Sequence, residues 1–128
     1  MPFTTPAALR ARATAILTDL CIKKNFDAMP TLMAPNVQVI HDDDPPLIGR
    51  DEFISHWKQA LTYLPGFNIE IGDQVAEVNE ESGGGKVWSL SKVNGLPGGK
   101  QKETVDMLEI DSEGKVVKIK DVQREIAC

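Results

Sequence analysis

The apolar residues near the start of the chain recur at helical spacing. Leu9, Ala13, Ile16, Leu17 and Leu20 share one face of a helix. Thr5 supplies an N-cap hydroxyl and Pro6 the first helical position, and the helix is expected to stop near Lys24–Asn25. A shorter helix is predicted from Asp27 to Met33, with Pro30 in its first turn, where a missing N–H is tolerated. Pro35-Asn36 closes it. Val37, Val39 and His41 then alternate with Gln38, Ile40 and Asp42, which predicts a short strand. Asp43-Asp44-Pro45-Pro46 forbids regular pairing and is assigned to a loop. A third helix is predicted over Asp51 to Tyr63, with Phe53, Ile54, Trp57 and Leu61 on one side. After Gly66 the period drops to two. Four strands are predicted: Phe67 to Val78, Lys86 to Val93, Glu103 to Ile110 and Lys115 to Glu125. The breaks between them are short and polar, so the strands form an antiparallel meander of hairpins. Gly72, inside the first of the four, marks a bulge where the sheet bends.

Helices first and strands second predict an α+β fold rather than alternating α/β. A curved antiparallel sheet exposes one apolar face that needs a cover. The N-terminal helices supply it by packing in the concave side, and the space between them is the natural ligand pocket. The 128 residues are read as one domain, 1–128. A net charge of −5 without a Lys/Arg cluster excludes nucleic acid and anionic membranes as expected partners. The two cysteines, Cys21 and Cys128, have no metal-ligand spacing and are read as free thiols of a reducing, cytoplasmic compartment. Residues Met1 to Arg12 hold no apolar run of signal-peptide length, and no segment has the apolar length of a membrane helix. Gly83-Gly84-Gly85 and Gly98-Gly99 sit in hairpin loops, not ahead of a helix as a phosphate-cradling loop must. No metal or cofactor is expected.

Strand parity selects the candidate chemistry. In the last strand Val117, Ile119, Asp121 and Gln123 share one face, while Lys118 and Lys120 mark the other as solvated. Asp121 is therefore expected to point inward, where lost hydration raises a carboxylate's proton affinity. The plainer alternative is a rim carboxylate that accepts a backbone N–H or an arginine. His41 ends the face of Val37 and Val39 and is expected inside as well, or else satisfied by a backbone carbonyl at the strand end. Asp106 shares a face with Thr104, Leu108 and Ile110, with Glu103 and Glu109 opposite. It points either inward, as a second carboxyl coupled to Asp121, or outward on a dimer face. Asp42, Asp43 and Asp44 are read as a solvated loop. Trp57 is core or pocket wall. Trp88 has apolar neighbours on both faces of its strand and lines either the pocket or an interface.

Several local patterns occur in a fixed order: Asn25-Phe26-Asp27-Ala28-Met29, Ala34-Pro35-Asn36-Val37, Ile48-Gly49-Arg50-Asp51-Glu52-Phe53, and Asp111-Ser112-Glu113-Gly114-Lys115-Val116-Val117 before a last strand ending Asp121-Val122-Gln123-Arg124-Glu125. In this order the chain resembles the nuclear transport factor 2-like superfamily, and within it the SnoaL-like branch. The resemblance implies a cone-shaped domain with an apolar pocket, and a first strand lying beside the last, which would bring His41 to Asp121. Members of the superfamily include polyketide cyclases, ketosteroid isomerases, scytalone dehydratases and epoxide hydrolases, and also non-catalytic modules. The expectation is a cofactor-free acid–base enzyme, an isomerase, cyclase or dehydratase. Its substrate would be an apolar oxygenated small molecule, such as a polyketide- or terpenoid-type intermediate of secondary metabolism. Asp121 and His41 would move the proton and Asp106 assist, with Leu17, Val39, Phe53, Trp57, Trp88 and Ile119 lining the substrate pocket. The alternative is a small-molecule-binding or dimerisation module. The first helix has no tyrosine, so the isomerases' oxyanion site is not carried over. Apolar residues on the convex sheet face lead us to expect a homodimer.

Overall fold

In the computed structural model, which describes residues 2–126, the first helix begins where the cap signal places it. Helix α1 spans Pro6–Leu17, and the Thr5 hydroxyl accepts the Ala8 N–H at 3.2 Å. Beyond Leu17 the coil widens into a π-turn, Thr18–Ile22, closed by Lys23 N–H donating to Thr18 O. The α-helix thus ends earlier than the apolar pattern suggests, although the chain stays helical to Ile22. Lys24, at φ 55, stops it. A 3₁₀ turn, Phe26–Ala28, leads into the short α2, Met29–Leu32. Strand β1, Met33–His41, starts earlier than expected. Pro35 lies within it, in the stretch between Met33 and Gln38 where pairing is irregular, so its missing N–H leaves no ladder bond unmade.

A two-residue strand β2, Leu47–Ile48, follows the Asp43–Pro46 loop where no element is predicted. Two residues are too few to show alternation. Helix α3 spans Arg50–Tyr63. The meander follows as β3 (Asn68–Val78), β4 (Gly85–Asn94), β5 (Gln101–Ile110) and β6 (Val116–Ile126). The six strands form one open sheet in the order β2-β1-β6-β5-β4-β3. The pairs within the meander and β1–β2 are antiparallel, but β1 runs parallel to β6. The fold is α+β as expected, with this one correction: the sheet is mixed.

Helix α1 packs over β3 and β4, and α3 lies against β1. Leu9, Ile16, Met29, Met33, Val37, Val87, Leu108 and Val116 are fully buried between the layers. Two bulges set side-chain direction. In β3 the register shifts between Ile71 and Gln74, at Gly72-Asp73, as Gly72 foretold. In β6 Ile110 opposes Val116 while Glu109 opposes Lys118, leaving Val117 unpaired. Val116 therefore turns into the core, and Val117 does not continue the face of Ile119 and Asp121 as simple alternation predicted.

Candidate active site

Register assembles the site. Pairing runs from His41 on β1 to Asp121 on β6, Asp106 on β5, Ser89 on β4 and Gln74 on β3, one straight row across five strands. The row beside it, Val39, Ile119, Leu108, Val87 and Ala76, is apolar. On its other side lies Gln123, Thr104, Ser91 and Ile71. The inner face of the sheet thus carries a polar belt two rows deep above a hydrocarbon floor.

At one end of the belt, His41 Nδ1 lies 2.9 Å from both carboxylate oxygens of Asp121. Asp121 Oδ2 also accepts from Gln123 Nε2 at 3.1 Å. His41 Nε2 is 3.6 Å from Asp42 Oδ2. The hydrogen bond that His41 Nδ1–H donates to Asp121, reinforced by the charges of Asp121, Asp42 and Asp44, raises the proton affinity of His41 against the opposing effect of its partial burial. Asp42 has a structural task of its own. At φ 48 it turns the chain out of β1, and its carboxylate accepts the Gln123 N–H at 2.9 Å.

Asp106 points inward and is buried among the strands. Burial first, and then the charge of Asp121, push its carboxyl up to about 7, against the Thr104 hydroxyl, which donates to Oδ1 at 3.3 Å, and the nearby His41. A carboxylic acid that keeps its proton near neutrality can donate it to a substrate oxygen. Cys21, carried on the π-turn, lies near enough to Asp106 and Asp121 to feel both charges. Burial and those charges push its thiol up, so it stays protonated and unreactive. Ser91 Oγ is buried with no hydrogen-bond partner.

Two expectations about placement are corrected. His41 sits at the rim of the cone, with its side chain 49% exposed, while Asp121 behind it is 16% exposed. The reason is local: His41 is the last residue of β1, and the turn closed by Asp44 N–H on His41 O carries the chain away before anything covers the imidazole. Trp88 lies on the outer face, 54% exposed, because Val87, Ser89, Ser91 and Val93 take the inward positions of β4. It cannot line an inner pocket. Leu17, Val39, Phe53 and Ile119 are buried members of the core, and Trp57, partly buried, packs edge-on against Phe67 and donates its indole N–H to Leu20 O. Two surface depressions, of about 160 and 350 Å³, lie at the β3 bulge and over Leu90, Val105 and Val122, and neither is lined by His41, Asp106 or Asp121. No group of His, Cys, Asp and Glu among the described residues could hold a metal ion.

Sequence pattern does not mark the belt residues Gln74, Ser89 and Ser91, and it places Thr104 only on the face of Asp106. Serines alternating with Trp88 and Leu90 were the available signal.

The family model for the SnoaL-like domain matches residues 10–88. The chain is 34% identical to the "Probable cyclase otaY" of Aspergillus carbonarius over 122 residues, covering 95% of this chain and 94% of that protein. It is 30% identical to the protein of the same name from Aspergillus niger over 118 residues, covering 92% and 93%. Among solved structures, a steroid delta-isomerase from Pseudomonas aeruginosa superposes with a TM-score of 0.63 at 20% identity, covering 91% of this chain and 82% of that one. At that identity the likeness concerns the fold alone.

Proposed function

The chain belongs to the SnoaL-like family, and from that premise we propose that it is a cofactor-free acid–base enzyme of the cyclase or isomerase type. Its substrate is an apolar, oxygenated small molecule with an enolisable carbonyl, of polyketide or terpenoid type. The observation that carries this reading is the row His41–Asp121–Asp106 across three neighbouring strands, an oriented base and a buried carboxyl of raised proton affinity on either side of Asp121.

Asp121 fixes the imidazole through Nδ1 and leaves Nε2 for the substrate. Nε2 takes the proton from the carbon beside the carbonyl, and the Asp106 carboxyl gives its proton to the carbonyl oxygen, so an enol forms between a charged imidazolium and a new carboxylate. In a cyclisation the enol carbon attacks a second carbonyl of the same molecule. The imidazolium proton goes to the oxygen formed there, and Asp106 recovers its own from the enol oxygen. In an isomerisation the imidazolium proton returns to a different carbon. Both begin with the same abstraction.

That shared step gives the test. Wild-type protein in deuterium oxide should speed exchange of the α-protons of cyclic ketones and β-diketones, followed by NMR. His41→Ala and Asp121→Asn should each slow it by about 10²–10⁴-fold. Exchange no faster than buffer, or undiminished in both variants, overturns the reading.

One observation favours a second reading, a dimerisation module without catalysis. The outer face exposes Val75, Trp88, Leu90, Val105 and Val122, while the inner face around Asp106 is closely covered.

A further inference from the structure

At the far end of the belt a chain of hydrogen bonds runs from helix α1 toward Asp106. Thr14 Oγ1 donates to Gln74 Oε1 at 3.1 Å, and Gln74 Nε2 donates to Ser89 Oγ at 3.3 Å. Ser89 is fully buried. Its oxygen is taken up by Gln74, which leaves the hydroxyl hydrogen to find an acceptor. The residue paired with Ser89 across β5 is Asp106.

Gln74 reaches this position only through the bulge. Ile69 and Ile71 face the interior before Gly72-Asp73, and without an extra residue Gln74 would point to the opposite side. The bulge reverses the parity, and Thr14 then locks the amide so that its NH₂ faces Ser89. Two elements, a helix and a bulged strand, thus hold an amide donor on the oxygen of one buried hydroxyl.

We propose that Gln74 and Ser89 are positioning residues for Asp106: Gln74 fixes the Ser89 hydroxyl so that its hydrogen receives the carboxylate left when Asp106 gives its proton to a substrate oxygen. The inference rests on the acid role of Asp106 proposed above. It supplies what that role lacks. An Asp106 carboxylate is formed in a buried place beside the charge of Asp121, with Thr104 as the donor already in contact. A second donor lowers the cost of that carboxylate, so the proton leaves and returns more readily. The groups that act on Asp106 electrostatically are Asp121 on β6 and His41 on β1, with the Cys21 thiol of the π-turn alongside. On the β4 side its register partner is the neutral Ser89.

The test is a ¹³C NMR titration of protein labelled at aspartate carboxyl carbons, with the Asp106 signal assigned by its loss in Asp106→Asn. A hydroxyl that donates to the carboxylate favours the ionised form. Ser89→Ala should therefore move the Asp106 midpoint upward from about 7 by about one pH unit, a tenfold gain in proton affinity. Gln74→Leu, of similar size, should move it the same way by less, and Asp121→Asn should move it down. A purely structural role would lower the melting temperature and leave the midpoint in place. An unmoved midpoint in Ser89→Ala overturns the proposal, and where that variant does not fold, Gln74→Leu decides by the same rule. The titration needs no substrate. A shifted midpoint in a protein that fails the deuterium-exchange test would retain the positioning chain and remove the enzyme reading.

Discussion

At Asp106 the fold holds a proton that the unfolded chain would release near pH 4, because the folded carboxyl titrates at about 7 against an ordinary 3.8. The folded state binds this proton more tightly, so the stability tied to it is complete below about pH 4 and lost as pH rises through 7. His41 acts in the same sense: its raised affinity stabilises the fold below 6.5, and the contribution fades as pH rises past that value. Asp106→Asn replaces a titrating group by a neutral one of the same shape. We expect this variant to be more stable than wild type at pH 8, by roughly 2–4 kcal/mol, and nearly equal at pH 4, as measured by urea unfolding. Its α-proton exchange should fall and should lose the alkaline limb of its pH profile, leaving only the acidic limb set by His41.

The strand β3 shows how an element can carry function through its irregularity. A Cβ added at Gly72 would lie 2.8 Å from Leu90 O on the neighbouring strand, a backbone atom that cannot step aside cheaply. Gly72→Ala is expected to destabilise the protein by about 1–3 kcal/mol in thermal or urea unfolding. It should also disturb the Gln74–Ser89 bond and so raise the Asp106 midpoint, a pairing of effects that a substitution in the flanking loops would not produce. The bulge in β6 works differently. By adding Val117 between Val116 and Lys118 it sends Val116 to the core while keeping Ile119 and Asp121 on the inner face. The parity of Asp121 can thus be read from Lys118 onward, and the parity of Val117 cannot.

Over the whole molecule, the inner face of the sheet joins the polar belt to the apolar core, and the outer face mixes charged residues with an exposed apolar patch. Trp88 sits beside Val75 and Met107 in register, and Leu90 beside Val105 and Val122, so the exposed residues form a continuous patch. We expect a second copy of the chain to cover it. Trp88→Lys should leave monomer stability within about 0.5 kcal/mol and shift the sedimentation coefficient from dimer to monomer. A wild-type protein that already sediments as a monomer at high micromolar concentration would remove this expectation. No helix among the described residues is long and apolar enough to cross a membrane.

Local pattern along the chain specified the elements and most of the directions in which side chains point. Thr5 and Pro6 fixed the start of α1, the change of period after Gly66 fixed the meander, and Lys118 and Lys120 fixed the inward face of Asp121. These are signals between near neighbours, set by sterics and alternation. The family resemblance added the adjacency of β1 and β6, which local pattern could not supply. Tertiary structure alone decided the rest. That pairing is parallel, with His41 opposite Asp121, and the imidazole stands at the rim rather than inside. Trp88 faces outward, and β2 exists only because β1 offers it an edge. The belt from His41 to Gln74 draws one residue from each of five strands. Alignment across strands depends on register, which bulges shift by whole residues, and no local pattern in the chain records the sum of those shifts.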